Sequence, residues 1–149
     1  MPPRDKQNCL RASGGVCILI NNNYPWEEIP ITSNLEVVAI SITLESKITI
    51  CNIYIPNQTN FILEDISNII TQLPHPFILL GDFNSHNGIW GSYKTDHRGL
   101  IIERLLEQDN NIVLLNNNEP TRINPINGNM SAIDLSFSTP NIAQRLHWK

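Results

Sequence analysis

The chain reads as an α+β domain with helices packed on sheets, and three observations carry that reading. The first third is dominated by β-branched, apolar runs. Two segments with apolar residues at helical spacing then bracket a short, wholly apolar run, Phe77-Ile78-Leu79-Leu80. A second β-rich stretch with a turn signal at Asn127-Gly128 follows. At 149 residues and 41% apolar content, the chain suits one domain with one core, residues 1–149.

In order, Val16-Cys17-Ile18-Leu19-Ile20 follows Gly14-Gly15 and predicts a strand that stops at Asn21-Asn22-Asn23. Two β-rich runs, Val37 to Leu44 and Lys47 to Tyr54, meet across Glu45-Ser46 and predict an antiparallel hairpin. Their alternation is partial, as expected for strands covered on both faces. After Asn60, a candidate N-cap, residues Ile62, Ile66, Ile69, Ile70 and Leu73 share a helical face, and Pro74 stops the helix. Phe77 to Leu80, bounded by Gly81, predicts a buried strand. An irregular loop reaches Arg98-Gly99, and Ile101, Ile102, Leu105 and Leu106 mark a second helix that fades at Asp109-Asn110-Asn111. Ile112 to Leu115 predicts a short buried strand. Thr121-Arg122-Ile123 and Ala132 to Phe137 flank the Asn127-Gly128 turn as a hairpin, and Thr139-Pro140 opens a last helix.

Composition narrows the function classes. No stretch approaches the roughly 20 apolar residues of a membrane span. Met1 to Lys6 is polar and lacks the apolar core of a secretory signal, so an intracellular protein is expected. Cys9, Cys17 and Cys51 have no metal-ligand spacing, and Cys17 and Cys51 lie in apolar runs, so both are expected as buried thiols. A net charge of −4 is no basic footprint, yet it leaves room for a nuclease, whose metal site needs carboxylates.

Candidate chemistry starts at Gly81-Asp82-Phe83-Asn84. In an extended segment Asp82 and Asn84 point the same way, and a carboxylate and carboxamide leaving a buried strand can hold water or a divalent cation against a phosphate. Tyr54 ends the second hairpin strand, because Pro56 in Tyr54-Ile55-Pro56-Asn57 stops pairing. Asp134 lies within apolar Ile133-Asp134-Leu135, where its carboxylate needs a partner. Thr121 opens the strand leading to that segment. Plainer readings stand beside these: Asp82 and Asn84 as turn formers, Tyr54 as an amphipathic strand end, Asp134 as a turn cap or a pair for Arg122.

Tyr-x-Pro-Asn, then Gly-Asp-Phe-Asn, then Ile-Asp-Leu-Ser, in that order, resembles the endonuclease/exonuclease/phosphatase superfamily. The stretch from Gly81 to Ser92, followed by Arg98-Gly99, with Glu119-Pro120-Thr121 ahead of Ser131-Ala132-Ile133-Asp134, is similar to the apurinic-type endonuclease domain of jockey-like non-LTR retrotransposons. The resemblance implies a two-sheet sandwich flanked by helices, with the site at one end and a nuclear location. It implies metal-dependent hydrolysis of a DNA phosphodiester with Mg²⁺ (or Mn²⁺), leaving a 3′-hydroxyl that primes reverse transcription. By the same resemblance, Asp82 orients or deprotonates the attacking water and ligates the metal, and Asn84 holds the scissile phosphate or helps at the metal. Tyr54 donates to the phosphate oxygens, and Asp134 orients a catalytic histidine. Thr121, Asn87 and Asn57 contact nucleic acid, Thr121 at the DNA backbone. No membrane and no small-molecule cofactor is implied.

The family pattern also places an Asn and a metal-binding Glu upstream of the Gly-Gly strand, and a Ser-Asp-His motif on a later strand. The sequence holds neither, so the expectation is a domain truncated at both ends with impaired activity. The alternative is a catalytically dead remnant with at most weak nucleic-acid binding. Asp96-His97 reads as a solvated loop pair rather than a substitute, and His86 as a structural or DNA-facing neighbour of the site. The loop Asn87-Gly88-Ile89-Trp90-Gly91 matches the retroelement group and speaks against a lipid- or inositol-phosphate hydrolase.

Overall fold

The predicted hairpin is the seed of a six-stranded mixed sheet in the computed structural model, which describes residues 14–149. In chain order the strands are β1 (Trp26–Ile29), β2 (Glu36–Thr43), β3 (Lys47–Tyr54), β4 (Phe77–Asp82), β5 (Val113–Leu114), β6 (Arg122–Ile123), β7 (Met130–Ser131) and β8 (Asp134–Ser138). The helices are α1 (Leu63–Gln72), α2 (His97–Gln108) and the short α3 (Pro140–Ala143). The large sheet runs β1-β2-β3-β4-β8-β5, while β6 and β7 pair apart as a small second sheet. Strands β3 and β4 are parallel because α1 crosses between them; every other neighbouring pair is antiparallel.

Alternation sorts the sheet into two faces. Ala39, Cys51, Ile53, Phe77, Leu79, Leu135 and Phe137 are buried against Ile66, Ile69 and Ile70 of α1 and Ile101, Ile102 and Leu105 of α2. The opposite face carries Val38, Ile42, Ile48, Ile50, Ile78 and Leu80, half-buried, with Ile40 and Ser138 buried, so both faces are covered, the helix face more fully. At the end of the sheet where β3 and β4 begin, Leu44, Ile48, Pro76, Ile142 and Leu146 line a cavity of about 330 Å³. Among the described residues, no helix is long and apolar enough to cross a membrane.

Four expectations are corrected. Val16 to Ile20 forms no strand, because both edges of β3 are already taken by β2 and β4; the segment is tied to β3 by one bond, Asn52 Nδ2 to the Cys17 carbonyl at 2.9 Å. Cys17 is accordingly exposed, whereas Cys51 is buried as expected; Cys9 lies outside the described residues. Helix α1 is capped at Ile62 rather than Asn60, since the Asp65 carboxylate accepts the Ile62 N–H at 2.8 Å. Finally, β6 pairs with β7 around the Asn127-Gly128 turn, and the run toward Phe137 joins the large sheet as β8 against β4.

Candidate active site

Three adjacent strands bring three of the expected side chains into one lateral row. Tyr54, the last residue of β3, is the register partner of Asp82 on β4, and Asp82 is the register partner of Asp134 on β8. Register partners share a face, and this row lies on the side away from α1 and α2. All three residues are half-buried. One further bond, Ile55 N–H to the Asp82 carbonyl at 2.9 Å, closes the parallel pair before Pro56 ends it.

Beyond Asp82 the chain leaves the sheet abruptly. Gly81 has φ +148°, and a Cβ there would lie 1.9 Å from the Ile53 carbonyl oxygen, so only glycine lets β4 approach β3 this closely. Asp82 Oδ1 accepts the Asn84 N–H at 2.9 Å, and Asn84 takes a left-handed φ of 46°. The expected strand alternation therefore does not reach Asn84. Its carboxamide instead donates to the Ile55 carbonyl at 3.2 Å, bridging to the loop beyond Tyr54.

The surroundings of Asp82 move its carboxyl upward from the ordinary carboxylate value. Burial raises its pKa, and the neighbouring Asp134 charge pushes the same way, against the Asn84 N–H and the charges of Arg122 and Arg98. Asp134 is held through its backbone: its N–H donates to Thr121 Oγ1 at 3.2 Å and its carbonyl accepts from Asn116 Nδ2 at 2.9 Å. Among the described residues it makes no ion pair, so the pairing with Arg122 weighed from sequence is absent.

The expected nucleic-acid contacts separate. Thr121 is exposed and its Oγ1 also accepts the Ile133 N–H at 3.1 Å, which pins it beside Asp134. Asn57 is exposed on the turn after Pro56. Asn87 is only 3% exposed. Its Nδ2 donates to Glu103 at 2.7 Å and its Oδ1 accepts the Ile89 N–H at 3.0 Å, so it orders the 87–91 loop and does not present its amide to a ligand. Asp96 is not a solvated loop residue: it caps α2, its Oδ1 accepting from Gly99 N–H at 2.7 Å and His86 N–H at 3.2 Å. His86 is half-buried, and burial lowers its pKa.

Sequence reading missed the role of Arg98. Its guanidinium donates to four backbone carbonyls: Nη1 to Pro56 at 3.2 Å and Thr59 at 2.8 Å, Nη2 to Ile55 at 3.0 Å and Phe83 at 2.8 Å. It also stacks 4.9 Å from the Phe61 ring. The available signals were the Arg98-Gly99 pair in the resemblance and a cation in the first turn of α2, where the helix dipole disfavours one.

The donor set fits a hydrated divalent cation better than a closed protein cage. Two carboxylates stand side by side, and their repulsion is the kind a cation relieves. Mg²⁺ is commonly held by one or two carboxylates, with water and substrate phosphates completing its shell. Among the described residues, no three His, Cys, Asp or Glu side chains gather as a metal-binding group.

Comparison with known proteins agrees with the resemblance. Residues 48–149 match the family model described as "Endonuclease-reverse transcriptase", and the chain belongs to that family. It is 26% identical over 98 residues to the probable RNA-directed DNA polymerase from transposon X-element of Drosophila melanogaster, covering 64% of this chain and 11% of that protein. Its fold is that of the endonuclease domain of TRAS1, a telomere-specific non-LTR retrotransposon: TM-score 0.71 at 24% identity, over 85% of this chain and 60% of that one. The chain thus spans about a tenth of the first relative's length and three fifths of the second's.

Proposed function

We propose that this domain hydrolyses a DNA phosphodiester with a divalent metal, nicking target DNA for a retrotransposon's reverse transcription. The observation that carries the reading is the Tyr54–Asp82–Asp134 row across β3, β4 and β8. A phosphate lying against that row would meet the Tyr54 hydroxyl as a donor while charge builds on its oxygens. Asp82 is the group for the attacking water, its carboxylate set at the end of β4 between Tyr54 and Asp134. Asn84 holds the phosphate or the metal's water shell. Asp134, with Thr121 fixing its backbone, is the residue to orient a histidine. Asp82 would hold Mg²⁺ or Mn²⁺, which when bound would supply charge neutralisation at the leaving oxygen. Arg122, whose charge acts on Asp82, sits at the base of a hairpin whose Ile123, Ile126 and Met130 are exposed, and this hairpin with Thr121 and Asn57 forms the surface offered to DNA. Such work places the protein in the nucleus.

A rival reading, a remnant that binds nucleic acid weakly without turnover, draws on the sparse metal-ligand set. Nicking of supercoiled plasmid with Mg²⁺ separates the two, with EDTA and Asp82→Ala as controls. Relaxed circles that need both metal and Asp82 are expected at an impaired rate. No relaxed circles from chain shown to be folded would leave the remnant.

A further inference from the structure

We infer that Arg98 is a positioning residue that sets the spacing between the two loops carrying the candidate site; its catalytic consequence rests on the nuclease reading above. One loop, Ile55 to Thr59, follows Tyr54, and the other, Phe83 to Asn87, follows Asp82. Three of the Arg98 hydrogen bonds go to the first loop and one to the second. The Ile55 carbonyl is shared, accepting from Arg98 at 3.0 Å and from Asn84 at 3.2 Å, so the guanidinium and the site carboxamide hold the same atom.

The base of this clamp is itself fixed. The Asp96 backbone N–H donates to the His86 carbonyl at 3.0 Å, and its side chain takes the His86 N–H. A Cβ on Gly99 would lie 1.8 Å from that same His86 oxygen, so the first turn of α2 sits directly on the second loop. Arg98 then reaches across from this docked turn to the first loop.

The chemistry requires arginine. Two nitrogens in one rigid plane address four carbonyls, while a lysine ammonium is a single point donor. The position also carries costs for a cation: it is near the positive end of the helix dipole, burial lowers its pKa against the charges of Asp96 and Asp82, and among the described residues no carboxylate forms an ion pair with it. A group retained against those costs is holding something, and what it touches is the backbone on both sides of the candidate site.

The test compares the wild-type chain with Arg98→Lys, which keeps the charge, and Arg98→Met, which keeps the stem. Amide hydrogen exchange and plasmid nicking are read on each. Both variants are expected to lose protection in residues 55–59 and 83–87 together while β2 and β3 stay protected. In nicking, kcat is expected to fall roughly 100-fold with KM within about twofold, since a misplaced group costs turnover while Arg98 itself touches no DNA. A charge or packing role predicts rescue by Lys or by Met respectively, and either rescue overturns the inference. If the wild type does not nick, the functional reading fails on its own. The exchange data then decide: loss in both loops upholds the clamp, and loss in one or neither overturns it.

Discussion

Asp82 and Asp134 face one another as directly opposed partners of β4 and β8, two carboxylates in one pair position. Like charges in that position destabilise a sheet. Their adjacency is therefore a cost to the fold that the site imposes, as is common where function and stability compete.

Replacing Asp82 by Asn should stabilise the metal-free protein. Asn keeps an oxygen for the Asn84 N–H while removing the charge. The Asp82 pKa is raised by burial above its ordinary 3.8, so the folded carboxyl holds its proton longer than the unfolded one. Stability from that proton is full below the unfolded pKa and is lost as pH rises through the folded pKa. Thermal unfolding in EDTA should show matching Tm values at low pH and a gain of roughly 0.5–2 kcal/mol for the variant at neutral pH. A gain larger in acid than at neutrality would contradict the sign.

Tyr54→Phe separates chemistry from assembly. The ring's contact with Gly14 is kept, as a Cβ on Gly14 would lie 2.1 Å from Tyr54 Cε1. On the proposed nuclease reading, loss of the hydroxyl removes one donor to the developing charge, so nicking should fall roughly 100-fold with Tm unchanged. Gel-shift affinity for the plasmid is the companion measurement and should move little.

Thr121→Val is expected to loosen the support of Asp134. The Thr121 oxygen accepts from both Ile133 and Asp134, and valine leaves two backbone N–H groups without it. A loss of roughly 1–2 kcal/mol by urea unfolding is expected, with Thr121→Ser close to wild type.

The thiols should split in reactivity. Cys51 is fully buried and burial pushes its pKa up to about 12, while Cys17 is exposed. In a Cys9→Ser background, a thiol reagent near pH 8 should label Cys17 rapidly and Cys51 only on unfolding. Equal rates would show that the helices do not cover that face of the sheet.

Much of this architecture was readable from residue patterns. The β2–β3 hairpin, both amphipathic helices and the strand into Asp82 follow from apolar runs, apolar spacing and the residues that break them, which are local properties. The site row was legible only through the order of Tyr54, Asp82 and Asp134, because register between distant strands leaves no local trace. Strand β1 escaped notice since Trp26-Glu27-Glu28-Ile29 is short, lacks strand alternation and carries two acids, being exposed at all but Ile29. Val16 to Ile20 failed in the opposite sense: its propensity is strong, but β3, the strand it lies beside, is already paired on both edges. Arg98 was visible as a residue and invisible as a clamp, since backbone carbonyls are shared by every sequence.

The placement of β8 between β4 and β5 dictates an order of events during translation. Tyr54 and Asp82 leave the ribosome early and can pair as soon as α1 has formed the crossover. Asp134 is more than fifty residues further on, and among the described residues β5 pairs in the large sheet with β8 alone. A nascent chain that has emerged only as far as α2 holds an open β4 edge and two thirds of the row. The carboxylate pair is thus assembled in one late step, and until then the growing polypeptide displays no complete row to the nucleic acid around it.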